Sequence, residues 1–221
     1  VSSVNLACGF HAADPDVMAK TVAIAQEDNA AIGAHPGFPD LQGFGRRTLA
    51  MAPDQIKNMV IYQIGALQAF TRNKKLHHVK AHGALYNLAA KDYQTALAIC
   101  QAIAFVDSSL PIYGLAGSQM IAAAKKVGIP YAQEVFADRN YQADGTLVPR
   151  SQANAVISDP EIISKRAISM IKNHQVTAVD GSIVHFEVDS ICVHGDNRAA
   201  LEIVKSLRVN LKKAGIQVKS F

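Results

Sequence analysis

Four histidines occupy like positions in four short segments: His11 in GFH, His35 in GAHPGFPD, His82 in KAHG and His194 in CVHGD. Each closes an apolar run, and Asp40, Asp138 and Asp196 stand near them in the sequence. Imidazole titrates near neutral pH and bonds through both nitrogens, so this set suits two chemistries. One is metal-free acid–base catalysis on an amide; the other is a divalent ion held by His and Asp with a position left for water. His11, His35 and His82 are the ligands if a metal is present, although neither HExxH nor HxxxH marks a helix. The catalytic candidates are His11, His35, His82, Asp138 and Asp196.

Lys80 and His82 lie two apart at the end of a run that reads as a strand. Side chains on a strand alternate, so both point to one side while Val79 and Ala81 pack against helices on the other. A buried ammonium is costly unless it meets an anion or a carboxylate, the internal alternative being a pair with Glu134 or Asp138. The loop GFGRR, residues 43–47, adds Arg46 and Arg47, whose planar guanidinium groups suit carboxylate capture. Substrate-binding candidates are Lys80, Arg46, Asp40, Arg139, Arg150 and His194. Gly9, Gly33, Gly37 and Gly83 give the backbone room to bend or to approach a ligand. GLAGS, residues 114–118, either offers backbone N–H groups to a phosphate or is a tight strand-to-helix turn. No GxxxxGK[ST] occurs, so a nucleotide site is unconventional or belongs to a partner. His77, His78, His174 and His185 read as structural.

These residues need strands to present them. Apolar and β-branched runs at 4–7, 31–34, 76–81, 111–115, 131–137 and 190–193 predict six. Asp14-Pro15, Pro53 and Asp159-Pro160 open helices between them, because proline suits a first turn whose N–H groups lack partners. Ile56, Val60, Ile64, Leu67 and Phe70 form one helical stripe, and Leu201, Val204, Leu207 and Leu211 another; both are expected to face a sheet. Strand and helix alternate, which implies a parallel sheet covered by helices, closed as a barrel or open and doubly wound. No GxGxxG follows the first strand, which weakens the dinucleotide-binding version. The segment 176–188 reads as a β-hairpin turning at Asp180-Gly181, and 139–159 as a long polar connection of the kind that binds or covers something.

The chain has 221 residues, which fits one domain over 1–221. Its net charge of +4 is dispersed, which excludes a nucleic-acid footprint. No apolar stretch reaches the roughly 18 residues of a membrane span, and no signal peptide opens the chain, so a soluble cytoplasmic protein is expected. Cys8, Cys100 and Cys192 are too scattered for a disulfide framework or a cysteine zinc site.

The stretches NLACGFHAADP, AIGAHPGFPDLQGFGRR, YQIGALQAF, VKAHGALYN, YGLAGS, EVFADRNYQADGTLVPRSQ and ICVHGD resemble the LamB/YcsF family, the A subunits of 5-oxoprolinase, over residues 3–216. The resemblance implies a (β/α) barrel of seven parallel strands, of the glycoside hydrolase/deacetylase superfamily. It implies ATP-dependent opening of 5-oxoproline (pyroglutamate) to L-glutamate, with companion B and C subunits. Members of the family open with a strand bearing a DLNCDxGE-type acidic motif, and this sequence starts after it, so six of the seven strands are expected here. Two other functions stay open: a metal-dependent deacetylase or amidohydrolase acting on an N-acylated sugar or related amide, and a non-catalytic metabolite- or carbohydrate-binding barrel. A homo-oligomer is compatible with either.

Overall fold

Short polar side chains start the helices. Asp14 accepts a hydrogen bond from the Val17 N–H at the head of α1 (Pro15–Glu27). Gln55 accepts from the Ala52 N–H at the head of α2 (Pro53–Gln68), and Asp92 from the Thr95 N–H at α4 (Tyr93–Val106). Ser118 does the same for α5 (Gln119–Val127) and Asp159 for α6 (Pro160–Asn173). Each satisfies donors that a first turn leaves unpaired, and three of these helices also carry proline there. The computed structural model describes residues 1–195 and 199–220, which form two compact units: Val1–Gly114 with Ser118–Tyr131, and Leu115–Gly117 with Ala132–Phe221.

In the first unit, β1 (Ser3–Ala7), β2 (Ala31–His35), β3 (His78–Val79) and β4 (Ile112–Leu115) pair in parallel in that order. β3 is shorter than the 76–81 expected, yet its contacts with the chain of β2 continue. His77, Lys80 and His82 donate backbone N–H groups to Ile32, Ala34 and Pro36. Alternation therefore persists to His82, with Val79 and Ala81 buried on the opposite side. α3 (Gly83–Lys91) starts directly after His82. On α2, Ile56, Val60, Ile64 and Leu67 are buried as the stripe requires, and they face α4 as well as β2. Phe70 lies beyond the helix end and is exposed.

In the second unit, β5 (Tyr131–Phe136) pairs in parallel with β8 (Ser190–Cys192), and β6 (Gln175–Thr177) with β7 (Ile183–His185) as the expected antiparallel hairpin. Gly181 takes φ +89° at its turn, and Asp180 accepts from the Ser182 N–H. The connection after β5 is no loose loop. Arg139 bridges Val156 and Tyr141 bridges Leu147, with the buried Tyr141 hydroxyl accepting from the Phe136 N–H. α7 (Ala200–Lys213) departs from the expected stripe: Ile203, Leu207 and Leu211 are buried, whereas Leu201 is exposed. The buried row runs at i, i+4, i+8 because α7 packs on α6 rather than flat on a sheet. Among the described residues no helix is long and apolar enough to cross a membrane. The α/β class, the six parallel strands and the hairpin are all as expected.

Gly33 has a specific reason to be glycine. A Cβ there would fall inside the imidazole of buried His78, which β3 points toward β2. Gly33→Ala should destabilise the protein by about 1–3 kcal/mol, the usual cost of overpacking, read as a melting temperature several degrees lower. His78→Ala removes the obstacle, so the double variant should lose less than the two single changes combined; strict additivity would show that the two sites do not meet.

Candidate active site

The turn after β1 carries His11, the end of β2 carries His35, and the extended chain after β3 carries His82. These three imidazoles pack together. His11 and His82 lie face to face with ring centres 3.8 Å apart and planes 4° from parallel. His35 stands edge-on to both, at 5.7 Å from His11 and 4.8 Å from His82. His35 Nδ1 donates to the Lys80 carbonyl oxygen at 2.6 Å, and its Nε2 faces His82 Nδ1 at 3.0 Å. His82 Nε2 donates to the Phe44 carbonyl oxygen at 2.8 Å. His11 and His82 are buried, and His11 Nδ1 has no hydrogen-bond partner.

Glycines make this packing possible. A Cβ on Gly37 would sit 2.6 Å from His11 Nδ1, and one on Gly45 would press on both His11 and His82. Phe44 and Gly45 adopt φ of +53° and +64°, a left-handed pair that turns the Phe44 carbonyl onto His82. A phenylalanine in that region is strained, so something must hold the loop. Buried Asp40 does so: its carboxylate accepts from the Gly43 and Arg47 N–H groups and from the Arg47 guanidinium, while its carbonyl accepts from the Gly45 N–H. The Arg47 hydrogen bond is the main reason the Asp40 carboxyl stays low, at about 2. Asp40 therefore fastens the loop through Arg47, and the Arg46 guanidinium lies 5.1 Å from the Phe44 ring centre. Gly83 completes the fit, because a Cβ there would meet the Gly45 carbonyl oxygen at 2.6 Å.

Lys80 shares the side of His82 as its spacing requires, and it is buried, with its ammonium 5.7 Å from the Tyr86 ring. His78, read as structural from the sequence, lies on this side too. His78 precedes Lys80 by two and joins the same row, with Nε2 2.8 Å from Asn5 Oδ1 and its ring stacked on Tyr113 at 4.1 Å. The signal was available in the period of two that already linked Lys80 to His82. Asn5 carried no such signal, since its partner is 73 residues away.

In the second unit Asp138 is buried, and one oxygen, Oδ2, accepts from His194 Nδ1 at 2.9 Å. This fixes the proton on Nδ1 and leaves Nε2 as the basic nitrogen, while Asp138 Oδ1 has no hydrogen-bond partner. Arg139 is buried and donates to the Ala155 and Val148 carbonyl oxygens at 3.1 and 2.5 Å, so it straps the connection that follows β5. Arg150 is exposed. Asp196 lies outside the described residues. His174 closes α6 and pairs with Glu187, and His185 belongs to the hairpin.

The donor geometry of the three histidines does not suit a metal. Parallel stacked rings keep their lone pairs in separate planes, both nitrogens of His82 face other partners, and His35 Nδ1 is committed to a carbonyl. Among the described residues no group of three or more His, Cys, Asp or Glu is placed to hold an ion. At GLAGS the Gly117 N–H donates to Gln133 and the Met120 N–H to Ser118, so the turn's own neighbours take those amides.

The LamB/YcsF family model matches residues 1–221. The chain belongs to the LamB/YcsF family. Among its relatives in that family, the 5-oxoprolinase A subunit of Limosilactobacillus fermentum is 60% identical over 220 residues, covering 100% of this chain and 88% of that one. The 5-oxoprolinase A subunit of Heliobacterium modesticaldum is 52% identical over 221 residues, covering 99% and 87%. A crystal structure of a lactam utilization protein from Thermus thermophilus superposes with a TM-score of 0.92 at 43% identity, covering 100% of this chain and 89% of that one. The α/β fold of this LamB/YcsF chain is thus shared along its full length.

Burial is the largest cause holding His11 and His78 down at about 3, with the charges of His82 and of His77 and Lys80 adding to it respectively. In the unfolded chain such rings take up protons near pH 6.5. Their stabilising contribution is therefore complete above pH 6.5 and is lost as pH falls toward 3. Urea midpoints measured across that window should drop steadily, and His78→Gln should drop less steeply; a flat profile for the unaltered protein would mean that the rings titrate normally in the fold.

Proposed function

We propose that this chain is the lactam-handling component of an ATP-dependent 5-oxoprolinase, a hydrolase of a cyclic amide that opens 5-oxoproline to L-glutamate with companion B and C subunits. One observation carries the proposal: three imidazoles packed together, two face to face and the third edge-on, dry enough to keep His11 neutral, in the same unit as the buried ammonium of Lys80. The names borne by the relatives, a component of 5-oxoprolinase and a lactam utilization protein, support the same reaction class.

Opening a five-membered lactam has three requirements. Amide resonance leaves the carbonyl carbon a poor electrophile, charge develops on its oxygen, and the ring nitrogen leaves only when protonated. Water adds its oxygen to the carbonyl carbon and surrenders a proton; the C–N bond then breaks, and the nitrogen takes a proton to become the amine of glutamate. ATP would supply activation by transferring its γ-phosphoryl group to the carbonyl oxygen with release of ADP, and a second water would release that group as inorganic phosphate. The side chains divide the remaining work. Lys80 and Arg46 hold the substrate carboxylate or the developing oxyanion. His11, His35 and His82 orient the ligand and the attacking water. Taken by itself, the Asp138–His194 pair of the second unit has the arrangement of an oriented general base, with the carboxylate setting the tautomer so that Nε2 can receive a proton.

Glutamate release from 5-oxoproline, measured with ATP and the companion subunits, tests the proposal. Asp138→Asn should lower kcat by about 100-fold or more, the scale of a lost acid–base group; His82→Ala should lower kcat as the orientation of the water is lost, and Lys80→Met should raise KM. Unchanged turnover in folded His82→Ala protein would remove the imidazole cluster from the reaction, and ATP-independent release would remove the nucleotide.

A further inference from the structure

YQIGALQAF, residues 62–70, opens with two side chains that leave α2 for the turns around the histidine cluster. Gln63 is the polar member of an otherwise apolar buried face, alongside Ile56, Met59, Val60, Ile64 and Leu67. A buried amide is costly unless its hydrogen-bonding groups find partners. Here they do. Gln63 Oε1 accepts from the Gly37 N–H at 2.9 Å, and Nε2 donates to the carbonyl oxygens of Gly37 at 3.0 Å and Met59 at 3.2 Å. Turning the amide over would set N–H against N–H and oxygen against two oxygens, so its orientation is fixed.

Gly37 receives from this amide what a paired strand gives its neighbour, one bond to its N–H and one to its carbonyl. β2 has already ended at His35, and the amide fixes the backbone where it passes His11. A Cβ on Gly37 would lie 2.6 Å from His11 Nδ1, so the bare backbone forms the wall against which that ring rests. The same ring lies face to face with His82 at 3.8 Å. Beside Gln63, the Tyr62 ring stacks on Phe10, with centres 5.2 Å apart and planes 28° from parallel. The Phe10 carbonyl oxygen in turn accepts from the Asp40 N–H. α2 thus grips both the residue that precedes His11 and the backbone that abuts its ring. An apolar side chain at 63 would fill the buried face as well, but it would leave Gly37 without these two bonds.

We propose that Gln63 is a positioning residue of the site: through Gly37, and assisted by Tyr62 through Phe10, it sets the place of the His11 ring against His82. Its amide is spent entirely on backbone groups, so it acts on the reaction only through His11. A displaced ring orients water poorly, which lowers turnover more than binding. That His11 serves lactam opening rests on the proposed function; its placement by α2 does not.

Gln63→Met keeps much of the volume and removes the amide. In the full chain, assayed with ATP and the companion subunits, it should lower kcat for glutamate release by about 10- to 100-fold, the scale of a displaced reacting group. KM for 5-oxoproline should change little. In a His11→Ala background the same change should cost little more, because the ring it places is gone. Imidazole NMR of the chain alone gives a readout independent of turnover. The His11 and His82 signals should move in Gln63→Met, while those of His174 and His185 in the second unit stay in place. If Gln63→Met does not fold, Tyr62→Ala, a change at an exposed ring, carries the same measurements, with smaller effects in the same direction. Unmoved His11 signals in the folded variant, a raised KM with kcat intact, or an equal loss of kcat in both backgrounds overturns the positioning role. An unaltered protein that releases no glutamate, while the variant still moves the two rings, keeps the positioning role and refutes the function proposed above.

Discussion

The contact between His82 Nδ1 and His35 Nε2 ties together everything around the first unit's cluster. It forms only if β2 and the chain after β3 keep their register as far as Pro36 and His82, well past the last residues of β3 itself. It also needs Gly45 to stand aside, and the Phe44 carbonyl to turn inward from a left-handed backbone. That conformation in turn relies on Asp40, whose acceptors take the loop's N–H groups and the Arg47 guanidinium. A chain of hydrogen bonds therefore runs from a paired carboxylate, through a strained loop, to the orientation of one imidazole. Networks of this kind rigidify a site when every member is satisfied.

The row His78, Lys80, His82 is buried, with exposed Asn5 at its border, and gives this unit an unusual character for a parallel sheet, whose strands commonly read as apolar on both sides. Val79 and Ala81 are buried on the opposite side, and α2 packs against both α4 and β2. The inner side uses stacked rings and hydrogen-bonded imidazoles to fill space, with Tyr113 lying flat on His78. Desolvation keeps His11 and His78 uncharged, so the positive charge is concentrated on fewer groups. The second unit follows a different plan. There Arg139 and Tyr141 spend their polar atoms on backbone groups, turning a long polar connection into a fixed frame beside the Asp138–His194 pair.

Much of this was legible in the sequence because it depends on neighbours. Strand positions, the proline-headed helices, the hairpin at Asp180-Gly181 and the shared side of Lys80 and His82 follow from periods of two and 3.6 and from the chemistry of turns. The motifs also sufficed to place the chain in its family. The stripe on α7 was misassigned because several apolar registers coexist in LEIVKSLRVNL, and only packing against α6 chooses Ile203, Leu207 and Leu211.

The sequence by itself determined which residue types were available and on which side of a strand each would fall, since those follow from local stereochemistry. Only the tertiary structure decided that His11 stacks on His82 while His35 meets its edge, that Asp40 serves Arg47, and that His78 rests on Gly33 and Asn5. Each of these joins positions separated by intervening strands, helices or loops. Their distances are set by sheet register and side-chain volume, which no local pattern encodes.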